Sequence, residues 1–379
     1  MKIAFLCGSL EPGRDGVGDY VQRLAAELLH QGLEVTAIAL KDQHATQENL
    51  HNQQVAGSTF PILRLPATWS SNRRYKRARQ WIVEFDPDWL SLQFVPFSFH
   101  SKGLPFGLPR QLARLGKGRA WHLMLHELWV GMDVAASRKH ILWGMVQRQL
   151  IKSLIACIGP KIIHTQTLLY QAQLAKVGFC SHYLPLFSNI AVPSNRPKRA
   201  IAQQFDSNVS TEATIRLVLF GTIHPGAPVT QFARDAARYA QQHTVSITLT
   251  LVGRCGSEQD HWAASWQEVG LPIEILGEQT PNQISHVLLN ASLGIVTTPA
   301  WLIGKSGTAA AMQEHELPIL CVAPPWFPRG IDTLTLPKGV KIYEEGNFSD
   351  YLFKRVNPNS IHNVSVIASQ LVNALLKNI

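Results

Sequence analysis

Short apolar runs alternate along this chain with longer amphipathic stretches, as when strands buried on both faces are separated by helices. The first run, Lys2 to Gly8, leads into a loop with glycines at 8, 13, 16 and 18. A helix then places Val17, Val21, Leu24, Ala25 and Leu28 on one face. Gly32 ends it, and Glu34 to Leu40 forms the next strand. Further strands are expected at Leu90–Val95, Trp121–Leu125 and Ile162–Thr165. Periodicity then lapses from Pro185 to Thr214, a stretch with Pro193, Pro197 and a polar Gln203–Thr211, which reads as a linker with a surface segment.

A second series opens at Ile215–Gly221 with the same strand-then-glycine pattern. It continues with a helix at Val229–Gln242, strands at Ser246–Val252 and Ile273–Leu276, and a helix at Asn282–Leu289. Apolar Leu293–Thr297 and Leu317–Val322 are two further buried strands, and a short strand follows Pro337. An amphipathic helix over Ser360–Lys377 closes the chain. The expected fold is α/β: two doubly wound, Rossmann-like domains facing each other across a cleft at their carboxyl edges. The boundaries expected are 1–190 for the first domain, 191–214 for the linker and 215–359 for the second, with helix 360–379 packing back onto the first.

Between the strands at 293 and 317 lies Gly304-Lys305-Ser306-Gly307-Thr308, followed by the helix formers Ala309 to Glu314. Ser306 or Thr308 can cap that helix. The unpaired N–H groups of its first turn, the positive end of the helix dipole and Lys305 together suit a phosphate. His126-Glu127 falls just past the strand at 121, where α/β sheets hold ligands.

With 46% apolar residues, the 379-residue chain is that of a globular protein long enough for two cores. No uninterrupted apolar run is as long as a bilayer is thick; the nearest, Ile141–Ile163, is broken by Gln147, Arg148, Gln149 and Lys152. The short apolar Ile3–Cys7 after Lys2 is no signal peptide, so a cytoplasmic protein is expected. Five cysteines stand far apart with no C-x-x-C pair and read as reduced thiols. The fifteen histidines show no metal-ligand spacing, and no metal is expected. Asp86-Pro87-Asp88 has a D-x-D spacing but reads as a loop entering a strand.

Charge divides the chain. Residues 1–190 carry 21 basic against 12 acidic side chains, whereas 191–379 carry 14 of each. Arg64, Arg73, Arg74, Lys76, Arg77 and Arg79 concentrate the excess, and Lys102, Arg110, Arg114, Lys117 and Arg119 form a second group. An anionic partner of the first domain is implied, and a membrane surface met through Arg64–Arg79, at the inner face, is a candidate. No nucleic-acid motif accompanies the charge, so nucleic acid is not expected.

Several stretches resemble the GT-B-fold glycosyltransferases, and among them the retaining family four. The loop Gly13–Tyr20 is similar to that family's first glycine loop, and Pro87–Gln93 to its proline-aspartate strand. His126-Glu127 matches its His-Asp position, which lies near the donor sugar. Leu251–Arg254 and Leu276–Glu278 are similar to the strand ends around the nucleotide, and Glu316–Leu320 to a Gly-Leu-Pro turn. The resemblance implies metal-independent transfer with retention from a nucleotide-diphosphate sugar, the co-substrate, and no separate cofactor. His126 and Lys305 would be catalytic. Gly16, Gly18, His224, Arg254, Ser306, Gly307, Thr308, Glu278 and Glu314 would hold the donor, and Asp19, Tyr20, Gln93 and Glu127 would lie on the acceptor side.

Two departures stand out. The family's paired glutamates fall at Ile303 and Ala311, and its basic pair after the first strand of the second domain is replaced by Thr222-Ile223-His224-Pro225-Gly226. His224, Arg254 and Lys305 are the cations left for a diphosphate, and Glu314 is a substitute carboxylate for the ribose. Two other readings stay open. One is an inactive binding or scaffold protein of this fold. The other is a P-loop nucleotidase or kinase, since Gly304-Lys305-Ser306 ends a Walker-like motif whose first glycine is here Pro299.

Overall fold

The computed structural model describes residues 1–193, 214–352 and 363–378. The expected linker falls almost wholly outside these residues, as do the first residues of the expected closing helix. The chain divides into two compact units: Met1–Pro185 with Pro328–Asp332 and Val364–Ile379, and Leu186–Phe327 with Thr333–Asn363. Pro328–Asp332, inside the range expected for the second domain, thus belongs with the first unit.

The first unit is built on an eight-stranded sheet in the order β3-β4-β2-β1-β5-β6-β7-β8. Its strands are β1 (Lys2–Cys7), β2 (Glu34–Asp42), β3 (Asn49–Val55), β4 (Ser58–Pro66), β5 (Trp89–Phe94), β6 (Ala120–Leu125), β7 (Ile162–Thr165) and β8 (His182–Tyr183). All neighbours run parallel except the hairpin β3–β4, which turns at Ala56-Gly57 with φ of 49° and 84°. That hairpin is not among the sequence-level expectations, because Asn49–Val55 is a mostly polar edge strand without an apolar run. Helices α1 (Gly16–His30), α2 (Ser71–Phe85), α3 (Pro96–Phe99), α4 (Leu108–Leu115), α5 (Arg138–Ile158) and α6 (Leu168–Lys176) connect the strands.

Helix α1 begins two residues before Gly18, so the expected glycine loop ends earlier than Gly18. Asp15 caps it by accepting from the N–H groups of Val17 and Gly18. A Cβ on Gly18 would sit 2.7 Å from the carbonyl oxygen of Ser9, so the helix start lies hard against the loop after β1. Helix α5, among the described helices, is long and apolar enough to cross a bilayer by length and composition alone: an 18-residue window within it has a mean hydropathy of 1.2, although Gln147, Arg148, Gln149 and Lys152 interrupt it. It buries Gly144, Gln147, Ile151, Leu154, Ile155 and Ile158 and packs against α4.

The second unit holds a six-stranded parallel sheet, β11-β10-β9-β12-β13-β14. Its strands are β9 (Thr214–Phe220), β10 (Ser246–Val252), β11 (Ile273–Gly277), β12 (Leu293–Val296), β13 (Ile319–Cys321) and β14 (Val340–Ile342). Helices α7 (Val229–His243), α8 (Gln259–Glu268), α9 (Pro281–Asn290) and α10 (Gly307–Glu314) flank it. Strand period sorts its core: Leu217 and Leu219 join Phe232, Trp262 and Trp266 on one face, and Val218 joins Leu288, Met312 and Leu317 on the other. Helix α11 (Val364–Leu376) lies against α1, where Gln31 Nε2 donates to the Ser365 carbonyl at 3.2 Å.

One buried ion pair fixes the carboxyl end of the first sheet. Arg64 Nε donates to Asp42 at 2.8 Å, and Arg64 also pairs with Glu11. Asp42, with no exposed surface, further accepts from Ser9 Oγ and the N–H groups of Leu10 and His44. Burial alone would raise its pKa, but these donors outweigh it and the carboxyl is held below its usual range. Asp42→Asn should therefore cost roughly 3–5 kcal/mol in urea unfolding, since it leaves Arg64 half-compensated and the loop after β1 untied.

Candidate functional site

Parallel strands end together, so each sheet gathers the residues that follow its strands at one edge. In the second unit that edge brings together most of the expected donor residues. Gly221 to His224 follow β9, Gly253-Arg254 follow β10, Glu278 follows β11, and Thr297 to Ser306 follow β12. The backbone N–H of His224 donates to Thr297 Oγ1 at 2.8 Å, tying the first and last of these loops together. The imidazole of His224 has its pKa lowered, first by burial and then by the charge of Lys305, so the ring beside that ammonium is held neutral. Arg254 Nε pairs with Glu278 at 3.1 Å on the surface of the same edge.

Residues Ala300–Lys305 form a 3₁₀ turn rather than an open loop. Ser306 then caps α10 by accepting from the Ala309 N–H at 3.3 Å, while Ser306 and Thr308 hydroxyls meet at 2.9 Å. Gly307 is exposed, and a Cβ built there meets nothing within 4 Å. The first turn of α10 is therefore open, with Lys305 beside it.

The helix reaches this position because the strands beneath it lack side chains. A Cβ on Gly294 in β12 would meet Met312 Sδ at 2.5 Å, and one on Gly221 would meet Thr308 Cγ2 at 2.8 Å. Neither glycine was among the expected site residues; each marks a close approach that a sequence reveals only as a glycine at a strand or its end. Glu314 is the last residue of α10, about 10 Å along the axis from the first turn, so the structure does not bring it to the cradle. Ile303 and Ala311 are packed in the core of this unit.

In the first unit, Gly16 and Gly18 sit in the first turn of α1, and Gly18 serves the close packing on Ser9 already described. Asp19 accepts from the Gly13 N–H at 2.9 Å, and its carboxyl is raised by burial. The Tyr20 ring is buried and stands edge-on to His126 with centroids 5.0 Å apart. Glu127 is half-buried beside His126.

His126 heads a buried polar chain that runs across three neighbouring strands. Its Nε2 meets Gln93 Oε1 at 2.8 Å, Gln93 Nε2 donates to Ser91 Oγ at 2.7 Å, Ser91 Oγ meets His122 Nδ1 at 2.7 Å, and His122 Nε2 meets His164 Nδ1 at 3.0 Å. The nearby Gln166 side chain opposes the effect of burial on the His126 ring without overcoming it. With the Gln93 oxygen toward His126, every donor points the same way: His126 donates to Gln93, Gln93 to Ser91, the Ser91 hydroxyl to His122, and His122 to His164. All three rings are then neutral with the proton on Nε2. Burial is also the first cause of their lowered pKa values, to about 4 for His126 and His164. The signal was available as side chains of one period on neighbouring strands, Ser91 and Gln93 in β5 beside His122 in β6, but nothing in the sequence gives the register.

The Asp86-Pro87-Asp88 segment stays structural: Asp86 pairs with Arg119 at 2.8 Å and Asp88 accepts from the Lys2 N–H at 2.7 Å. Among the described residues no group of three or more His, Cys, Asp or Glu could hold a metal.

No family model matches the chain, and no curated protein matches it in sequence. Solved structures do match along its whole length. The apo lipopolysaccharide outer core galactosyltransferase WaaB aligns over 100% of both chains with a TM-score of 0.55 and 15% identity. HepE from Anabaena, in complex with UDP and glucose, aligns over 100% of this chain and 97% of its own, at 0.53 and 15%. The UDP-GlcNAc 2-epimerase from Methanocaldococcus jannaschii aligns over 100% of both chains, at 0.53 and 10%. The chain has the GT-B fold. That architecture is shared by transferases and an epimerase, so it fixes the frame and leaves the chemistry to the site.

Two outcomes are expected from the chain at His126. The folded state keeps that ring neutral to about pH 4, whereas an unfolded ring protonates near 6.5. Stability is then full above pH 6.5 and falls as the pH drops toward 4, by about 3 kcal/mol for this ring alone. Urea unfolding at pH 7.5 and 5.0 reads the fall. Ser91→Ala leaves Gln93 Nε2 without its acceptor and His122 Nδ1 without its donor, a loss of about 2–4 kcal/mol, and it should scramble the Nε2–H tautomers seen in ¹⁵N spectra.

Proposed function

We propose that this chain is a glycosyltransferase that takes a sugar from a nucleoside diphosphate sugar. The observation that carries this reading is the open first turn of α10 at the carboxyl edge of the second sheet, with Lys305, His224 and Arg254 on the loops around it. Departure of a nucleoside diphosphate builds negative charge on its terminal phosphate. Oriented N–H groups and a fixed ammonium stabilise that charge without rearranging in the transition state. The bond from the anomeric carbon to the phosphate oxygen breaks, a bond from the same carbon to an acceptor oxygen forms, and the departing phosphate takes the acceptor's proton. No protein base and no metal is needed in this scheme, and retention follows if both events occur on one face of the sugar. The GT-B structures crystallised with UDP and glucose lend the donor class support. His126 is assigned to positioning the sugar, in the neutral state its buried chain imposes.

The acceptor is proposed to be anionic, in keeping with the charge of the first unit. A membrane contact through Arg64–Arg79 loses half its cations to the fold: Arg64 is paired with Asp42, Arg77 with Glu48, and Arg74 is buried against backbone carbonyls. Arg73, Lys76 and Arg79 remain exposed on α2. Cosedimentation with anionic vesicles at low and high salt tests the contact.

One observation favours a second reading, donor binding without transfer. Ile303 and Ala311 are core residues, so no carboxylate can reach the ribose from those positions. The P-loop alternative fits poorly with a 3₁₀ turn over Ala300–Lys305, where such a site needs an open, glycine-lined loop.

Calorimetry with UDP, GDP and ADP and their sugars separates these readings. Lys305→Ala should weaken binding of the preferred nucleotide about tenfold or more, with the melting temperature unchanged because Lys305 belongs to no core. Undiminished affinity in that variant would remove the cradle assignment, and binding of a nucleotide sugar without transfer or hydrolysis would establish the second reading.

A further inference from the structure

A cation pair lies in the first unit, and none of the residues around it is among those expected to hold the donor. Lys41, near the end of β2, and Arg74, in α2, line one cavity of about 340 Å³ together with α3, the segment after it and α4. Arg74 is only 9% exposed. Its Nε and Nη1 donate to the carbonyls of Trp69 and Leu40, and Lys41 Nζ donates to the carbonyl of Phe99 at 2.9 Å. Among the described residues neither cation has a carboxylate within ion-pair distance. Lys41 is acidified by burial and then by the like charge of Arg74 itself.

The walls explain this. No Asp or Glu occurs from residue 49 to 83 or from 89 to 126, and all the lining residues except Lys41 come from those two stretches. Desolvating two cations together is costly unless an anion joins them.

The neutral polar groups of the lining are also set to donate. His100 Nδ1 accepts from the N–H groups of Lys102 and Leu104, which leaves its proton on Nε2. Ser71 Oγ accepts from Gln111 Nε2 at 2.8 Å, so its own hydrogen is left to give. Tyr75, raised by burial, keeps its phenolic proton. Ser71 also opens α2, whose dipole is positive at that end. Arg74 retains both N–H groups of Nη2, and Lys41 two of its three. Phe99, Leu104 and Phe106 supply apolar surface to the same lining.

We propose that this cavity binds a phosphomonoester: the dianionic phosphate between Lys41 and Arg74, and the esterified group against Phe99, Leu104 and Phe106. That this ligand is the acceptor of the sugar rests on the preceding reading; the anion site itself does not.

The test titrates the full chain carrying Lys305→Ala, which silences the α10 turn, with inorganic phosphate and with phenyl phosphate. Both should bind saturably, phenyl phosphate more tightly because of the apolar wall. Lys41→Met, and separately Gln111→Glu, which places a competing carboxylate in the wall, should each weaken binding about tenfold or more, while Lys41→Arg stays within about threefold. Absence of saturable binding, or unchanged affinity in both Lys41→Met and Gln111→Glu, overturns the site. Vesicles of phosphatidic acid against phosphatidylcholine distinguish a lipid head group from a soluble ester: Lys41-dependent sedimentation with the former alone assigns the lipid. UDP titration of Lys41→Met with Lys305 intact should match the parent protein. If UDP fails to bind either protein while phosphate still depends on Lys41, the donor reading falls and the anion site stands.

Discussion

How closely a helix can approach a sheet decides what its first turn can do. Helix α10 is short and lies against β12, where Gly294 leaves room for Met312, and against the end of β9, where Gly221 leaves room for Thr308. Any side chain at these places would lift the helix or its start away from the sheet edge. The N–H groups of the first turn would then move with respect to His224, which belongs to the loop after β9. Packing of this kind fixes positions to fractions of an ångström, the precision that stabilising a developing charge requires.

Charge in the first unit tells a similar story of commitment. Of the six basic residues between Arg64 and Arg79, Arg64 is spent on holding the loop after β1 through Asp42, Arg77 on Glu48, and Arg74 on two carbonyls. What looks in sequence like a uniform basic surface is in the fold three structural cations and three exposed ones. Arg74 is the exception among the three, because its neighbour Lys41 repels it and, among the described residues, no acid relieves either. A fold that tolerates such a pair gains nothing in stability from it. That is the physical reason to read the cavity as built for an anion.

Much of this architecture was legible in the residues. Segments rich in branched apolar residues such as Ile215–Gly221 and Ser246–Val252 mark strands of the parallel sheet, and their ends fall within a residue or two of the observed ones. The carboxyl edges followed from the order of elements, so placing Lys305, Ser306 and His224 in one neighbourhood needed only the parallel sheet. The hairpin β3–β4 was not legible, because its edge strand is polar and its partner Ser58–Pro66 contains a proline. Nor was the chain from His126 to His164, which depends on which residues of β5, β6 and β7 stand opposite one another. Register is a property of three strands at once, whereas periodicity is read from one.

The absent glutamates bear on how the donor would be held rather than on whether the cradle exists. Ile303 closes the 3₁₀ turn before α10 and Ala311 faces the core from its middle, so both positions help seat the helix. A carboxylate in either place would be buried among apolar side chains and would unseat the turn it was meant to serve. Recognition of a ribose at this edge would then fall to groups already exposed there, and Glu278, held by Arg254 at the end of β11, is one carboxylate on a neighbouring strand end. The pair is surface-exposed and weakly bound, so it can open to a ligand at little cost. A diphosphate recruiting Arg254 would release Glu278 for a hydroxyl, which couples phosphate and sugar recognition through one exchangeable salt bridge.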